Sequence, residues 1–537
     1  MTMHAAPPVL LVPENAPFSP EQRAWLSGYL AALIAPDPGQ VTPLPGFDPA
    51  SAVAAPARPA LADSGDAPWH DPSLPLHERL GMANGRPLAP RLMAAMAQQD
   101  CGQCGYNCAD YANALFLKKE DRLNLCAPGG KDTLRALKKL AEELEAAKAE
   151  SKPAAISEGA APAVVSEPGR SRENPARATL ISRRRLNAPH SEKETWHVEI
   201  ELAGTGVDYA VGDSLGVVPA NAPALVDAVI AQLGARPERP IGERTLRDRL
   251  LHERCLGAAP DALLQLIAYV TGGEQRRKAQ ALAAGDDPDG DAARLDVLGA
   301  LHKFQAARPD AEAFLEVLEP LQPRLYSISS SPKADAGKVA LTVDAVRYAI
   351  NKRRRFGVAS TFLAERIEPG APLGVYVQKA HGFGLPPEPT TPIVMIGPGT
   401  GVAPFRAFLR ERQATKAPGR NWLFFGHQRQ DTDFFYKDEL TAMKEARLLT
   451  RLTLAWSREG KEKIYVQDRM REVGADLWRW LAEGAHVYVC GDAKRMAKDV
   501  DAALVDVVAT HGVRTTDEAI AFVHGLKRSG RYQADVY

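Results

Sequence analysis

The segment PIVMIGPGTGVAPFRAFL, residues 392–409, constrains the fold of this 537-residue chain more than any other part of the sequence. Its apolar run Ile393–Ile396 predicts a buried strand, and Gly397, Gly399 and Gly401 predict a tight turn into a helix. Glycines let the backbone approach a pyrophosphate, and the start of a helix attracts negative charge. The spacing differs from the G-x-G-x-x-G fingerprint, which argues against the dehydrogenase version of that fold. We therefore expect a parallel α/β sheet with a nucleotide at the turn.

Two upstream segments carry side chains suited to a second cofactor. RLYSISSSP, from Arg324 to Pro332, predicts a strand whose Arg, Tyr and Ser can clasp a pyrophosphate, stack on an aromatic ring and donate to a ring nitrogen. An ordinary strand edge explains this segment equally well when it is taken alone. GVASTFLAER, from Gly357, predicts a glycine turn that opens a helix and offers N–H groups to a phosphate.

The cysteines are unevenly distributed. Four of the six lie within residues 101–126, spaced Cys-x2-Cys-x3-Cys and then, after seventeen residues, a fourth Cys. Three thiolates on a tight turn can hold three corners of an iron–sulfur cube, and a distant fourth can close it. Zinc usually binds two separated Cys-x2-Cys pairs, and the second pair is missing here. The spacing favours an iron–sulfur cluster and leaves a zinc site and inert buried thiols as alternatives. The ligands would be Cys101, Cys104, Cys108 and Cys126.

Composition and periodicity divide the chain into six predicted segments. The first is an amphipathic helix, because Trp25, Leu26, Tyr29, Leu30 and Leu33 recur at helical spacing. Such a helix suits docking to a partner, to another domain or to a second copy of the chain. Two stretches rich in Ala and Pro are typical of linkers. The predicted bounds are 1–35 for the N-terminal helix, 36–83 for the first linker, 84–150 for the cysteine module, 151–173 for the second linker, and 174–385 and 386–537 for two larger domains.

The charge balance argues against one class of function. The chain has 66 Lys+Arg and 66 Asp+Glu, so it lacks the net positive charge with which general nucleic-acid binders neutralise phosphates. The N-terminal sequence does not show a charged region followed by a long apolar run, and no apolar run is long enough to span a membrane. The sequence therefore predicts a cytoplasmic protein without nucleic-acid or membrane partners.

The cysteine segment resembles a known family. DCGQCGYNCADYANAL followed by LNLCAPGG is similar to a small four-cysteine iron–sulfur domain with the pattern CGxCGxxxC…CxPGG. The resemblance includes Gly102, Gly105, Pro128, Gly129 and Gly130 besides the cysteines. It implies a small α-helical module that binds one [4Fe–4S] cluster.

The motifs between residues 174 and 537 resemble, in content and order, the ferredoxin–NADP reductase superfamily. Within it they are most similar to the diflavin reductases of the NADPH–sulfite reductase flavoprotein type. These motifs are YAVGDSLGVVP, RLYS, LTVDAVRY, GVAS, IGPGTGVAPFRAFL, NWLFFG, WSREGKEKIYVQ, YVCGDAKRMAKDV and the terminal GRYQADVY. The resemblance implies a multidomain protein with an antiparallel β-barrel FAD domain, a helical insertion at about 221–319 and an α/β parallel-sheet NADP domain.

The same resemblance assigns residues to both cofactors and to the reaction. Those implied for FAD are Arg324, Leu325, Tyr326, Ser327, Thr342, Val343, Asp344, Tyr348, Gly357, Val358, Ala359, Ser360 and Tyr537. Those implied for NADPH are Gly397, Gly399, Thr400, Gly401, Ser457, Arg458, Lys463, Ile464, Tyr465, Val466, Gln467 and Asp499. Ser327, Cys490 and Asp535 are implied around flavin N5 and nicotinamide C4. Tyr537 is implied as an aromatic ring that stacks on the flavin until nicotinamide displaces it. A Ser hydroxyl, an Arg fork and a Lys also suit the dianionic 2′-phosphate of NADPH on chemical grounds.

The chain departs from the diflavin reductases in one domain. No hydroxyl-rich phosphate loop of the flavodoxin kind occurs between residues 34 and 174, so FMN is not expected. The cysteine module stands in that place, and the expected electron path runs from NADPH through FAD and the cluster. A smaller departure is Gly384, where the family usually has Arg at a flavin contact.

Three functions remain open on the sequence. The leading one is the electron-transferring subunit of an NADPH-dependent assimilatory sulfite reductase, working with a separate siroheme haemoprotein. The second is a general NADPH–ferredoxin-type reductase that serves nitrite reductase or an oxygenase. The third treats residues 1–150 as a zinc-held docking module with no electron role.

Overall fold

The computed structural model describes Trp69 and residues 74–98, 104–126, 128–150, 167–350, 353–380 and 382–537. The predicted N-terminal helix, Cys101 and most of both predicted linkers lie outside these residues. No helix in the part described combines the length and the apolar character needed to cross a bilayer.

Four helices lie around the described cysteines of the predicted module. They are α1 Leu76–Met82, α2 Leu88–Ala95, α3 Cys108–Phe116 and α4 Gly130–Glu150. Helix α1 lies inside the stretch 36–83 that was expected to be linker, so ordered structure begins earlier than the composition indicated. Asn107 caps α3, because its side chain accepts a hydrogen bond from the Asp110 N–H at 2.7 Å. Apolar side chains of α2, α3 and α4, among them Leu92, Tyr111 and Leu137, form one small core.

A six-stranded antiparallel sheet follows the second predicted linker, and every second side chain of its strands faces a shared core. Its strands are β1 Ala176–Arg185, β2 Thr195–Glu201, β3 Ser214–Val218, β6 Arg324–Ser327, β7 Lys338–Asp344 and β10 Pro372–Gln378. Their order is β6-β3-β10-β1-β2-β7. An isolated bridge between Ile328 and Leu341 links the two edges of the sheet. Two short hairpins, β4 Pro240–Ile241 with β5 Arg244–Thr245 and β8 Arg347–Ile350 with β9 Arg353–Phe356, lie outside this sheet.

The predicted helical insertion is present between β3 and β6, where the helices have a core of their own. They are α5 Pro223–Leu233, α6 Leu246–His252, α7 Asp261–Val270, α8 Gly273–Ala284, α9 Val297–Lys303 and α10 Ala311–Val317. A one-turn helix, α11 Val358–Thr361, comes after the β8–β9 hairpin. It starts at the glycine turn of GVASTFLAER, as the sequence predicts.

The C-terminal part is a five-stranded parallel sheet, which confirms the expectation from residues 392–409. Its strands, in the order β13-β12-β11-β14-β15, are Arg451–Trp456, Asn421–His427, Ile393–Ile396, His486–Gly491 and Tyr532–Val536. All four residues of β11 are buried, as a central parallel strand requires. The helices are α12 Ala403–Ala414, α13 Gln430–Asp433, α14 Lys437–Glu445, α15 Val466–Glu472, α16 Gly474–Ala482, α17 Met496–His511 and α18 Thr516–Arg528.

A buried hydrogen-bonded cluster joins the two sheets. The hydroxyl of Tyr436, from the parallel-sheet part, lies 2.7 Å from Thr342 Oγ1 and 3.1 Å from His197 Nδ1, both in the antiparallel sheet. The Arg406 guanidinium lies 4.9 Å from the centre of the Tyr436 ring. Burial, assisted by the Arg406 cation, lowers the pKa of His197 to about 4, so its imidazole is neutral in this cluster at pH 7.

Replacing His197 by Gln should reduce the acid sensitivity of the fold. The pKa of His197 is about 4 in the folded protein against an ordinary 6.5, so between these values the unfolded chain binds a proton that the folded chain does not. The wild type should therefore lose up to about 3 kcal/mol of stability through this residue as pH falls from 6.5 to 4. Gln keeps a polar group beside Tyr436 and cannot be protonated in this range.

The measurement is thermal unfolding at neutral and acidic pH. The decrease in melting temperature between the two conditions should be smaller for His197→Gln than for the wild type. His302→Gln, at an exposed position of the helical insertion, serves as the control and should behave as the wild type. An unchanged pH dependence in His197→Gln would contradict the buried neutral imidazole.

Candidate functional site

Three side chains meet where the two sheets adjoin. Ser327, the last residue of β6, donates a hydrogen bond to Asp535 Oδ2 at 2.6 Å. The Cys490 thiol lies 3.7 Å from the same oxygen, because Cys490 in β14 and Asp535 in β15 are directly paired in the parallel sheet. Burial, together with the Asp535 carboxylate, raises the pKa of Cys490 well above its ordinary value. The structure thus brings together the three residues expected around the reacting atoms, with Cys490 as a neutral thiol.

A cleft opens beside these residues at the carboxyl ends of β11, β12 and β14, the edge where parallel sheets usually bind ligands. Tyr537 lines it, and its hydroxyl lies 2.7 Å from Thr400 Oγ1. Its backbone N–H bonds to the Gly491 carbonyl oxygen at 3.0 Å. Sequence reasoning missed other residues of this lining, among them Lys193, Thr195, His427 and Asp492. His427 and Asp492 come at or just after strand ends, a position that could have indicated them.

Two glycines of the predicted pyrophosphate turn stand where other residues would be excluded or strained. A Cβ atom on Gly401 would lie 2.1 Å from the Cys490 carbonyl oxygen, and Gly399 has a φ of +60°. The turn continues as a short 3-10 segment, Gly399–Val402, directly into α12. The backbone can therefore approach a ligand here as it could with no other residue type.

Of the residues expected at the adenosine 2′-phosphate, Ser457, Arg458, Lys463, Ile464 and Tyr465 lie between β13 and α15, Val466 and Gln467 begin α15, and Asp499 is in α17. The Ser457 hydroxyl donates to the His427 carbonyl oxygen at 3.2 Å, and Arg458 pairs with Glu192 of the antiparallel-sheet part. Gln467 Nε2 donates to Asp499 at 3.2 Å, so these two predicted residues are in contact. Lys463 and Tyr465 are solvent-exposed and Ile464 is half-buried. The Val466 side chain is in the hydrophobic core, which leaves only its backbone for a ligand.

The residues expected at FAD divide into buried and exposed groups. Thr342 and Val343 are buried in β7, and the Thr342 hydroxyl is engaged with Tyr436, so neither presents its side chain to solvent. Asp344, at the end of β7, accepts a hydrogen bond from Thr195 Oγ1 at 3.2 Å and lies 3.9 Å from the Lys193 ammonium nitrogen.

The β8–β9 hairpin forms the exposed part of this predicted site. Val346, just before β8, and Tyr348 are 46% and 53% exposed, and their spacing puts both on one face of the hairpin, where a ring-shaped ligand could cover them. Phe356 is 46% exposed, but it is paired with Arg347 and therefore lies on the opposite face. Ser360 Oγ accepts a hydrogen bond from the Val346 N–H at 3.2 Å. A Cβ atom on Gly357 would lie 2.5 Å from Ser360 Oγ, which accounts for the glycine at this turn.

Three of the four predicted cluster ligands line one pocket. Cys104, Cys108 and Cys126 share it, whereas Cys101 lies outside the described residues. Within those residues, no three His, Cys, Asp or Glu side chains gather closely enough to hold a single metal ion. Burial raises the pKa of the Cys126 thiol, so a metal would have to displace its proton on binding. The remaining lining residues are Met96, Ala97, Tyr106, Tyr111, Leu125 and Pro128.

Two family models match the parts of the chain that carry these sites. One, described as an FAD binding domain, matches residues 168–300 and 259–362. The other, described as an oxidoreductase NAD-binding domain, matches residues 395–502. The first match covers the antiparallel sheet and its helical insertion except for β10, and the second covers the parallel sheet from within β11 to β14 but not β15.

Curated relatives carry one common description. The chain is 41% identical over 410 residues to the "Sulfite reductase [NADPH] flavoprotein alpha-component" of Escherichia coli O157:H7, an alignment that covers 74% of this chain and 67% of that protein. It is 42% identical over 390 residues to the protein of the same description from Cronobacter sakazakii (strain ATCC BAA-894), covering 72% and 64% respectively. The chain thus spans about two thirds of the length of these relatives.

Replacing Gly401 by Ala should disrupt the nucleotide turn. The added methyl group would meet the Cys490 carbonyl oxygen, a backbone atom that cannot move without shifting β14. We expect a loss of about 1–3 kcal/mol in stability and a marked loss of NADP⁺ affinity. Thermal unfolding and calorimetric titration with NADP⁺ would measure the two effects.

Gly525→Ala is the matched control for this substitution. Gly525 lies within α18, and a Cβ atom there would meet nothing within 4 Å. This variant should be as stable as the wild type or slightly more so, with the same NADP⁺ affinity. If Gly401→Ala behaved in the same way, the close packing of the turn would not be required for binding.

Proposed function

Because the chain belongs to the family of the sulfite reductase [NADPH] flavoprotein alpha-components, we propose that it passes electrons from NADPH, through FAD and a [4Fe–4S] cluster, to a one-electron acceptor. The chain is an oxidoreductase with FAD-binding and NAD-binding domains. The observation that carries the proposal is the meeting of Ser327, Cys490 and Asp535 beside the glycine turn, where one domain contributes Ser327 and the other contributes the remaining two.

The chemistry that the cofactors would supply is the splitting of an electron pair. When bound, FAD takes a hydride from NADPH and releases its two electrons singly, and an iron–sulfur cluster carries them one at a time. Overall, NADPH and two oxidised acceptors give NADP⁺, a proton and two reduced acceptors. The remaining task of the protein is to hold the reacting carbons close together and to exclude water.

The residues at the junction suit that task. The Ser327 hydroxyl donates a hydrogen bond to Asp535, and this bond fixes the orientation of both side chains. The neutral Cys490 thiol beside them adds no second negative charge near the departing hydride. Tyr537 contacts Thr400 across the cleft, and this contact supports the proposal that its ring would cover the flavin until a nicotinamide ring replaces it. We assign the side chains of Ser327, Cys490, Asp535 and Tyr537 to positioning the flavin and nicotinamide rings.

The described residues fit both nucleotide cofactors. For FAD, the exposed side chains of Val346 and Tyr348, on one face of the β8–β9 hairpin, offer a surface to an aromatic ring system. For NADPH, Ser457 and Arg458 offer a hydroxyl and a guanidinium to the 2′-phosphate, and Arg458 would exchange its pairing with Glu192 for that of the phosphate.

The cysteine module fits an iron–sulfur cluster. The thiols of Cys104, Cys108 and Cys126 face one largely apolar pocket, the kind of environment that shields a cluster from water. Gly105 has a φ of +78°, so the loop between the first two of these thiols turns in a way that suits a cysteine-rich hairpin. Together with Cys101 they would supply four thiolate ligands.

The acceptor that we propose is a separate sulfite reductase haemoprotein containing siroheme. The description of the relatives as alpha-components supports a partner subunit. Adding purified siroheme haemoprotein and sulfite to the protein with NADPH should yield sulfide. Failure with sulfite, combined with rapid reduction of a ferredoxin or of a nitrite reductase, would instead identify a general NADPH–ferredoxin-type reductase.

Replacing Cys104 by Ser should separate flavin reduction from electron export. We expect the variant to lose its iron and its reduced-state EPR signal, to keep NADPH-dependent flavin bleaching, and to reduce cytochrome c far more slowly than the wild type. Anaerobic absorption spectra after NADPH addition would measure flavin reduction, and metal analysis would measure the iron content. Cys255→Ser, at a cysteine outside the module, should match the wild type.

Two results of that experiment would reject the relay. Cytochrome c reduction at the wild-type rate after the cluster is lost would show that electrons leave FAD by another route. Zinc in place of iron in the wild-type protein would show that the module has a docking role instead.

Replacing Arg458 by Ala should change nucleotide preference. A charge-assisted hydrogen bond is worth about 1.5–3 kcal/mol, so the KM for NADPH should rise by roughly tenfold to a hundredfold. The KM for NADH, which lacks the 2′-phosphate, should stay the same. Arg471→Ala, which removes an exposed Arg paired with Asp506 in the same domain, should alter neither value. Equal changes for both nucleotides in Arg458→Ala would rule out its role at the 2′-phosphate.

A further inference from the structure

The loop that carries Cys104 is held by two residues from outside the cysteine module. Arg172 Nη1 donates to the Cys104 carbonyl oxygen at 2.7 Å, and its guanidinium lies 4.3 Å from the centre of the Tyr106 ring. The hydroxyl of Tyr376, in β10, donates a hydrogen bond to the Gly105 carbonyl oxygen at 2.7 Å. Two consecutive carbonyl groups of the loop are therefore anchored to the antiparallel-sheet part.

A third contact extends this attachment to the next helix. Gln378 donates to the Asp110 carboxylate in the first turn of α3. Because Gln378 is two residues after Tyr376, both side chains leave the same face of β10. Gly105 has a φ of +78°, which favours glycine, and a Cβ atom on it would lie 2.9 Å from Arg172 Nη1. We call Arg172, Tyr376 and Gln378 the dock.

The dock lies next to the strand that carries the proposed FAD residues. Tyr376 is 1% exposed, and its ring covers Gly216 of β3, where a Cβ atom would lie 2.2 Å from the ring. Gly216 is paired with Tyr376 on one side and with Leu325 of β6 on the other. A Cβ atom on Gly105 would also lie 3.5 Å from the side chain of Pro323, just before β6, so the loop runs close to this residue. A continuous set of packed groups thus runs from the cysteine loop to β6.

The charge of Arg172 acts on the same loop. Its side chain is only 11% exposed, so water screens the guanidinium weakly. The reduced form of a cluster is more negative than the oxidised form, and a nearby cation that is hydrogen-bonded to a ligand residue stabilises it. Removing the cation should therefore make the cluster harder to reduce.

We propose that Arg172 and Tyr376 are positioning residues that fix the cysteine loop against the flavin-binding sheet, and that Arg172 also raises the reduction potential of the cluster. This inference rests on the proposed function, because a potential presupposes the cluster. Electrons that leave the reduced flavin enter the cluster without movement of the module and then pass to the acceptor. The overall reaction is unchanged, and no further oxidant or reductant is needed.

Three variants of the full chain test the dock. Arg172→Gln removes the charge, Arg172→Lys keeps it, and Tyr376→Phe removes one hydroxyl while its ring still covers Gly216. Tyr209→Phe is the matched control, because Tyr209 is a buried tyrosine of the same part whose hydroxyl bonds to Ser330 and to the Lys338 carbonyl oxygen. The readouts are hydrogen exchange of residues 104–110, the cluster midpoint potential from EPR-monitored titration, and the rate of flavin-to-cluster transfer.

We expect a distinct pattern in each variant. Tyr376→Phe and Arg172→Gln should speed exchange in residues 104–110 by about tenfold, since a lost hydrogen bond of about 1.4 kcal/mol changes a population by that factor. Both should slow flavin-to-cluster transfer, while flavin reduction by NADPH stays at the wild-type rate. Arg172→Gln should also lower the midpoint potential, and Arg172→Lys should restore it. Tyr209→Phe should change none of these.

Results that contradict this pattern overturn the proposal, and they can be distinguished from results that contradict the proposed function. Unchanged exchange and transfer in both Tyr376→Phe and Arg172→Gln would remove the positioning role, and an unchanged potential in Arg172→Gln would remove the electrostatic one. If Arg172→Gln fails to fold, Tyr376→Phe still decides the positioning role. The electrostatic role is then decided by Arg172→Lys, and a cluster midpoint potential below that of the wild type in this variant would overturn it. A wild-type protein without iron would overturn the proposed function and the potential with it, while hydrogen exchange would still decide the dock.

Discussion

The Ser327–Asp535 hydrogen bond is the interaction on which the candidate site depends, because it crosses from one sheet to the other. Asp535 reaches Ser327 only because β15 is paired in register with β14, which places its carboxylate beside the Cys490 thiol. A carboxylate at a junction with little water needs donors, and Ser327 supplies one. The same pairing brings Tyr537 to the cleft and to Thr400. Strand β15 therefore positions both the side chains of the candidate site and one wall of the ligand cleft.

Helix α12 holds the two parts in a fixed orientation. Its Arg410 pairs with Asp335 at 2.6 Å, and Glu411 accepts a hydrogen bond from Ser331 at 2.5 Å. Arg406 donates to the Ser329 carbonyl oxygen at 2.6 Å. Charged hydrogen bonds of this kind are directional, so they specify orientation more strictly than apolar contact does. Because α12 also begins at the glycine turn, one helix both follows the proposed nucleotide site and aligns the domain that carries the proposed flavin residues.

The sequence predicted the elements with strong local signals. The apolar run of β11 with its glycine turn is such an element, whereas the helical insertion and the roles of Ser327, Cys490 and Asp535 were implied by the family resemblance. The structure brings these three residues together. Helix α1 was missed because its short stretch follows a long Ala- and Pro-rich segment, so its signal was assigned to the linker. The contacts of Thr342 with Tyr436 could not be found, since they join residues that are 94 positions apart. Lys193 and Thr195 were missed for the same reason, because a loop residue and the first residue of β2 reach the cleft only through the tertiary fold.

The two ends of the four-residue strand β6 lie beside two different proposed sites. Its last residue, Ser327, contacts Asp535 on the side where NADPH is proposed to bind, whereas its first residue, Arg324, follows Pro323 beside the Gly105 loop. At about 3.3 Å per residue, the strand separates these ends by roughly 10 Å. A flavin that lies along β6 would receive its hydride at one end and be close to the cysteine loop at the other. Electron entry and exit would then occur on opposite sides of one cofactor, so neither partner would have to leave for the other to act.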